Sequence, residues 1–318
     1  MFLRALSALA LALVSTSAAA QAYPTKPIRL IVPFPPGGTV DISARAIAPG
    51  LVEALGQNVI VDNRGGAQGM VGSAIAAKAP PDGYTLLMGS NSTLTAAPAL
   101  SPGIVQYNPL RDFAPVSLVA ETPFVLVVHP SVPARTVKEF IALAKAKPSA
   151  MTMASGGVSH LAGEHFQTLT GTKLTNVPYQ GAGPASIALM GGQVDLMFDQ
   201  LSGAIGSIKA GKTRALAVSF QKRAAAVPEV PTMREAGVPA FAVTSITGVL
   251  APAGTSTEVI NRLNAAIHKV LATPAMKERL STLVLEPSPS TPEQFAAYIR
   301  EDLARWQKVV KDAGIKTE

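Results

Sequence analysis

Cysteine is absent from the 318-residue chain. That excludes a disulfide framework, Cys-ligated zinc, an iron–sulfur cluster, a thiol nucleophile and a lipid on an N-terminal cysteine. Charge is sparse at 15% and aromatic side chains are sparser at 5%, and the densest basic cluster is the pair Lys222-Arg223. With no basic run and no aromatics interleaved among the bases, nucleic acid is not an expected partner. Beyond the N-terminal segment, no stretch reaches the ~20 apolar residues that a membrane span needs. The chain also has no G-x-S-x-G elbow, and no nucleophile, base and oxyanion hole assemble from its motifs. Neither a metal nor a cofactor is expected.

Hydrophobic residues make up 48% of the sequence, enough to bury at least one large core. Met1 to Ala22 reads as a secretory leader: Arg4 supplies the positive start, Ala5 to Val14 an apolar run, and Ala18-Ala19-Ala20 or Ala20-Gln21-Ala22 a small-residue cleavage site. Residues 1–22 are therefore expected to be removed on export, which in a bacterial cell places the protein in the periplasm. Of the 27 basic residues Arg4 alone would be lost, leaving 26 against 20 acidic ones, a net charge of +6. A weak positive field of this kind favours small anions.

From Pro27 onward, short β-type runs alternate with helical segments, the pattern of an α/β fold with parallel strands and crossover helices. The strands expected are Ile28–Val32, Val59–Val61, Tyr84–Met88, Phe124–Val128, Met151–Met153, Leu174–Val177, Val194–Phe198 and Arg214–Ser219. Thr136 with Glu139 and Thr255 with Glu258 read as capping boxes, and Thr291 with Pro292 opens a third helix whose Phe295, Ile299 and Trp306 share one face. A mature chain this long exceeds one comfortable core, so two domains are expected. Breaks near Glu121-Thr122-Pro123 and between Pro239 and Thr244 make the first domain discontinuous, 23–122 plus 243–318, with 123–242 as the second and two strands as the hinge.

The most informative local pattern is a strand that runs into a glycine turn and then a helix. Ile28–Val32 leads into Pro33-Phe34-Pro35-Pro36-Gly37-Gly38, after which Thr39 can cap a helix carrying Asp41 in its first turn. A helix start presents unpaired N–H groups and a partial positive charge, and glycine lets a ligand reach that backbone, so the pattern makes an anion socket without an arginine. It recurs at Ser155-Gly156-Gly157-Val158-Ser159 and at Gly181-Ala182-Gly183-Pro184. Gly206 to Thr213 fits the P-loop consensus, but helix precedes it and strand follows, the reverse of what phosphate binding requires. His160 and His165 stand five apart, off a common helix face, and Asp195 and Asp199 read as sheet-end residues.

Several of these motifs together resemble the Bug-type periplasmic solute receptors of tripartite tricarboxylate transport systems. The resemblance begins at Tyr23-Pro24-Thr25-Lys26-Pro27-Ile28-Arg29 and Pro33 to Asp41. It continues through Asp62-Asn63-Arg64-Gly65-Gly66-Ala67, Asp82 to Leu87, Val177 to Pro184, Gly191-Gly192-Gln193-Val194-Asp195, Val230 to Gly237 and Leu250 to Thr255. It implies a two-lobed, type II-like periplasmic binding protein with mixed, mostly parallel sheets, not an enzyme, acting as a monomer that delivers a small carboxylate to a membrane permease. Carried over residue by residue, it implies one clamp at Phe34, Pro36, Gly37, Gly38, Thr39 and Asp41, lined by Ser90 and Asn91. The facing lobe supplies Ser155, Gly156, Gly157, Ser159, His160, Tyr179, Gly181 and Asp199. Gly65 and Gln68 stand where the family carries Pro and Gly, which loosens that loop. Ser155–His160 is shorter than usual, and Ile246 replaces a common aromatic, which widens the cleft. A ligand-sensing receptor that docks on a membrane signalling protein and an exported hydrolase are the alternative functions.

Overall fold

The computed structural model describes residues 23–179 and 182–317. The expected leader, Met1 to Ala22, and the candidate site residue Gly181 lie outside the described residues.

Strand β1 (Ile28–Val32) is an apolar run that is buried almost throughout, as the middle of a parallel sheet demands. β2 (Val59–Asn63) and β3 (Thr85–Ser90) flank it in parallel, connected through helices α1 (Thr39–Leu55) and α2 (Met70–Ala77). A single π-helical turn, Ser92–Ala96, follows β3 and runs into α3 (Ala97–Leu100). β9 (Thr244–Pro252) pairs antiparallel with β3, and the 16-residue β4 (Phe113–Val128) pairs antiparallel with β9. The last part of β4, Phe124–Val128, leaves β9 and instead pairs antiparallel with β7 (Leu196–Gln200). β5 (Thr152–Ser155) lies parallel to β7, and β6 (Thr175–Pro178) parallel to β5. β8 (Arg214–Val218) pairs with the other edge of β4. Around this second sheet pack α4 (Val137–Ala146), α5 (Val158–Thr170), α6 (Ala182–Met190) and α7 (Leu201–Lys209). The chain ends with α8 (Thr257–Ala272), α9 (Pro274–Thr282), the short β10 (Glu286–Pro287) and α10 (Pro292–Asp312).

The direction of β4 fixes where the site can be. β1, β2 and β3 run the same way as β4, so their carboxyl ends point toward the second sheet. β7 opposes β4, and β5 and β6 run with β7, so their carboxyl ends point back toward the first. Turns after six strands therefore converge on the space between two sheets that share one strand, where ligands of open α/β sheets bind.

The expected strands are found, most of them shifted by one or two residues. The expected strand Phe124–Val128 is only the end of β4. Pro115 and Pro123 disguise its first part, and both are tolerated at the irregular pairing with β9, which carries two register shifts. β9 escaped the strand reading because nearly all of its residues are buried, which removes alternation, and because it carries Gly248. A Cβ at Gly248 would stand 2.5 Å from Phe295 Cζ, so the glycine lets α10 lie directly on the sheet. The capping boxes at Thr136 and Thr291 form. At α8 the cap is Ser256, whose hydroxyl accepts from the Val259 N–H, while the Thr255 hydroxyl turns back to donate to the Pro252 carbonyl. In the P-loop-like stretch, α7 precedes and β8 follows, with Gly211 at φ 68° between them.

Gly72 of α2 seats that helix against the end of β1. A Cβ there would lie 2.4 Å from the Arg64 carbonyl oxygen and 2.7 Å from Pro33 Cα, both backbone atoms that cannot swing aside. Gly72→Ala is expected to destabilise the protein by about 1–3 kcal/mol, read as a lower melting temperature; an unchanged melting temperature contradicts this packing.

Candidate functional site

The turn after β1 is held from behind. Asp41, in the first turn of α1, is 3% exposed, and its carboxylate accepts from the Gly37 N–H (2.9 Å), Asn63 Nδ2 (2.9 Å) and Arg45 Nε (2.9 Å). Asn63 Nδ2 also donates to the Phe34 carbonyl at 3.0 Å. Burial alone would raise the Asp41 pKa, but Arg45, the Gly37 N–H and Asn63 together hold it below the ordinary carboxylate range. Asp41 therefore supports the turn from behind and takes up the Gly37 N–H. Thr39 is not the cap: Gly38 is, and Thr39 is the first helical residue.

In front of this turn the backbone is bare. Gly37 has φ 90°, which favours glycine, and a Cβ on Gly37 or Gly38 would meet nothing within 4 Å. The first N–H groups of a helix have no partner within it, and a helix start of this kind can receive an anion. Pro36 is exposed, and Phe34 is half-buried with its ring against Gly69, where a Cβ would stand 2.8 Å from Phe34 Cζ.

The other candidates of the first sheet divide. Ser90, at the end of β3, is 3% exposed, and its hydroxyl has no hydrogen-bond partner among the described residues. Asn91 is tied into the scaffold. Its Nδ2 donates to the Tyr298 hydroxyl (2.8 Å) and to Asp302 (3.0 Å), and its Oδ1 accepts from the Ile246 N–H (2.6 Å). Asp302, buried on α10, also accepts from Thr95 (2.6 Å), Trp306 Nε1 (3.0 Å) and Arg305. This node fastens the π-helical turn to α10 and β9. Ile246 is 2% exposed and packs with Leu250 and Phe295, so it belongs to the core and does not widen the cleft.

In the second sheet, Gly156 and Gly157 join β5 to α5. Gly157 caps α5 at φ 56°, ψ −125°, a conformation that side chains avoid. The neighbouring hydroxyls are internal ties: Ser155 donates to Asn176 Oδ1, and Ser159 to the Phe198 carbonyl. His160 lies 3.6 Å from Glu164, one turn on, while His165 stacks on Phe241 and meets Trp306 edge-on, so the two histidines serve different surroundings. The Tyr179 N–H donates to the Ser155 carbonyl, holding the ends of β6 and β5 level. Asp199, at the end of β7, is 4% exposed and accepts from the Gln200 N–H at 2.8 Å. Burial pushes its carboxyl up to about 7, against the smaller opposing effect of that N–H.

Hydrogen bonds cross from sheet to sheet. The Thr39 hydroxyl donates to Gln200 Oε1 at 2.6 Å and sits 3.2 Å from the Ser202 hydroxyl, while Gln200 Nε2 donates to Ser245 of β9 at 2.9 Å. Gly157 also stands opposite Gln68 and Ser92, whose side-chain oxygens lie 3.7 and 3.8 Å from where a Cβ of Gly157 would be. Gln200, Ser202, Ser245 and Ser92 were missed by the sequence reading, although the rule that sites gather at strand ends would have reached Gln200, one residue after Asp199. A cavity of about 270 Å³ lies elsewhere, on the outer face of α2 beside Val71, Ile75 and Ile104. Among the described residues no cluster of His, Asp and Glu could hold a metal ion, and no helix is long and apolar enough to cross a membrane.

The raised pKa of Asp199 has a sign that can be checked. The folded chain holds this proton more tightly than the unfolded chain, so Asp199 lowers stability as pH rises from about 4 to about 7 and adds no further change above that. Asp199→Asn is expected to melt above the wild type by a margin that widens over that window and then levels off. A margin that does not vary with pH contradicts it.

Comparisons with known proteins identify the family and the fold. The family model described as the tripartite tricarboxylate transporter family receptor matches residues 43–315. The chain is 38% identical to Protein BugT of Bordetella pertussis, over 95% of this chain and 94% of that protein. Among solved structures, R. palustris Rpa4515 with adipate is 36% identical with a TM-score of 0.86, covering 93% of this chain and 100% of that one. MatC (Rpa3494) from Rhodopseudomonas palustris with bound malate is 35% identical with a TM-score of 0.81, covering 91% and 100%. The fold is that of two-lobed periplasmic binding proteins, and both family and fold are those of solute-binding receptors and not of enzymes. The chain belongs to the tripartite tricarboxylate transporter receptor family.

Proposed function

We propose that this protein captures a small carboxylate between its two lobes in the periplasm and hands it to the membrane permease of a tripartite tricarboxylate-type system. The observation that carries this reading is the pair of glycine turns, Gly37-Gly38 and Gly156-Gly157, each opening a helix at strand ends that point toward each other. One carboxylate sits on the start of α1, and closure of the second lobe excludes water and strengthens those charge–dipole contacts. The structural relatives with adipate and malate support the ligand class. The lobes divide as 23–122 plus 243–318 and 123–242, with β4 and β9 as the hinge; the leader is residues 1–22, the working form is a monomer, and no catalytic step is involved. Ser90 and Asp199 complete the contact set.

Thermal denaturation against a panel of mono-, di- and tricarboxylates tests the reading. A ligand at 100 times its dissociation constant is expected to add roughly 2.7 kcal/mol to stability. A panel of this breadth that leaves the melting temperature unmoved contradicts it. The bridge from Thr39 to Gln200 and Ser202 makes a second test, because it forms only when the lobes meet. Thr39→Val removes hydrogen bonds worth about 1 kcal/mol and is expected to weaken carboxylate binding by roughly fivefold, through faster dissociation. An unchanged dissociation rate would remove this bridge from the closing mechanism.

A further inference from the structure

Helix α10 is long enough to reach across both lobes. Its 21 residues rise about 30 Å, the width of a small domain. Its buried face reads Phe295, Ile299, Asp302, Trp306, Val309 and Val310, an apolar stripe at helical spacing with one carboxylate in the middle. The two ends of the stripe enter different cores. Phe295 and Ile299 share one with Leu87 and Leu250 of the first sheet. Trp306, Val309 and Val310 share the other with Phe140, Phe166 and Phe198 around the second sheet, and the Trp306 ring meets His165 of α5 edge-on at 6.4 Å.

An apolar side chain at position 302 would join the two cores into one. The aspartate instead makes a polar layer between them, and its hydrogen bonds come from both sides. Asn91 and Thr95 donate from the chain that follows β3, and Trp306 Nε1 donates from the next turn of the helix. Arg305 donates to Asp302 and, through Nη1, to the Ala242 carbonyl at 2.8 Å, where the chain returns from the second lobe into β9. Arg305 Nε is buried without a partner among the described residues, a donor that this arrangement leaves unused. Hydrogen bonds can pass from one partner to another as neighbours shift, whereas an apolar side chain drawn out of its core meets only water. We propose that α10 is a third connection between the lobes: up to Ile299 it is fixed in the first, from Trp306 it travels with the second, and it pivots at the node of Asp302 and Arg305 as the cleft opens and closes. The boundary drawn above from the strands then shifts, with 303–317 counted in the second lobe. Arg305 is a positioning residue that limits how far the lobes part. The inference concerns their relative motion, whichever molecule is captured, and its failure leaves carboxylate capture standing.

The absence of cysteine lets pairs of spin labels be placed without background. Lys269 on α8 marks the first lobe, Lys138 on α4 the second and Gln307 the end of α10, and all three are exposed. Lys269→Cys, Lys138→Cys and Gln307→Cys are combined in pairs, and pulsed electron spin resonance of the ligand-free protein reads the spread of distances in each. The pairs 138–269 and 307–269 are expected to have equally broad spreads, and the pair 307–138 a spread about half as wide or narrower. A 307–138 spread as broad as that of 138–269 shows that the helix end does not travel with the second lobe and overturns the inference. Narrow spreads in all three pairs overturn it as well, because no motion is then left for the node to divide. In a second arm, Arg305→Met keeps the stem beside the Trp306 ring, where the guanidinium carbon lies 4.7 Å from the centroid, and removes the hydrogen bonds to Asp302 and Ala242. It is expected to widen the 138–269 spread by about twofold. An unchanged spread overturns the pivot even where the melting temperature falls, since a merely structural tie lowers stability without altering the motion.

Discussion

One strand shared by two sheets sets the chemistry of this protein. Because β4 runs in a single direction through both, the carboxyl ends of β1 to β3 and of β5 to β7 are aimed at each other. The turns that follow must begin helices, and a helix start offers N–H groups that no residue of its own helix can satisfy. A cleft made in this way is lined with hydrogen-bond donors before any side chain is chosen. Glycine at positions 37, 38 and 157 then keeps side chains from covering that backbone.

The charges close by do not compete for this role. Asp41 is neutralised by Arg45, and Asp62 lies between Arg29 and Arg64, so these groups brace the first lobe. A grip made of amides holds an anion without the large desolvation cost of burying a guanidinium, and it releases the anion more readily when the lobes part. That suits a carrier, which has to let go. The same water-poor environment explains why the Asp199 pKa is raised: burial outweighs the opposing effect of the Gln200 N–H.

Much of the fold was legible because its signals are local. The apolar run Ile28–Val32, the capping residues Thr136 and Thr291 and the glycine turns need only their neighbours in sequence to be read. The parts that escaped depend on partners far along the chain. The first part of β4 and the whole of β9 look irregular until they are set against each other, since prolines and Gly248 are acceptable only at that pairing. In the site, the glycine turns are local signals, whereas the surroundings of individual side chains are not: Asn91 is enclosed by Ile246, Tyr298 and Asp302, and Asp41 by Asn63, all from distant segments. Gln200 gave no signal of its own, because its partners, Thr39 and Ser245, stand 161 and 45 residues away in sequence.

The most direct measurement is a crystal structure of the protein with a bound dicarboxylate such as adipate. One carboxylate is expected to lie within hydrogen-bonding distance of the backbone N–H groups at Gly38, Thr39 or Val40, with the lobes closed over the remainder. A carboxylate paired with an arginine or lysine side chain, or seated away from both glycine turns, would contradict the amide grip.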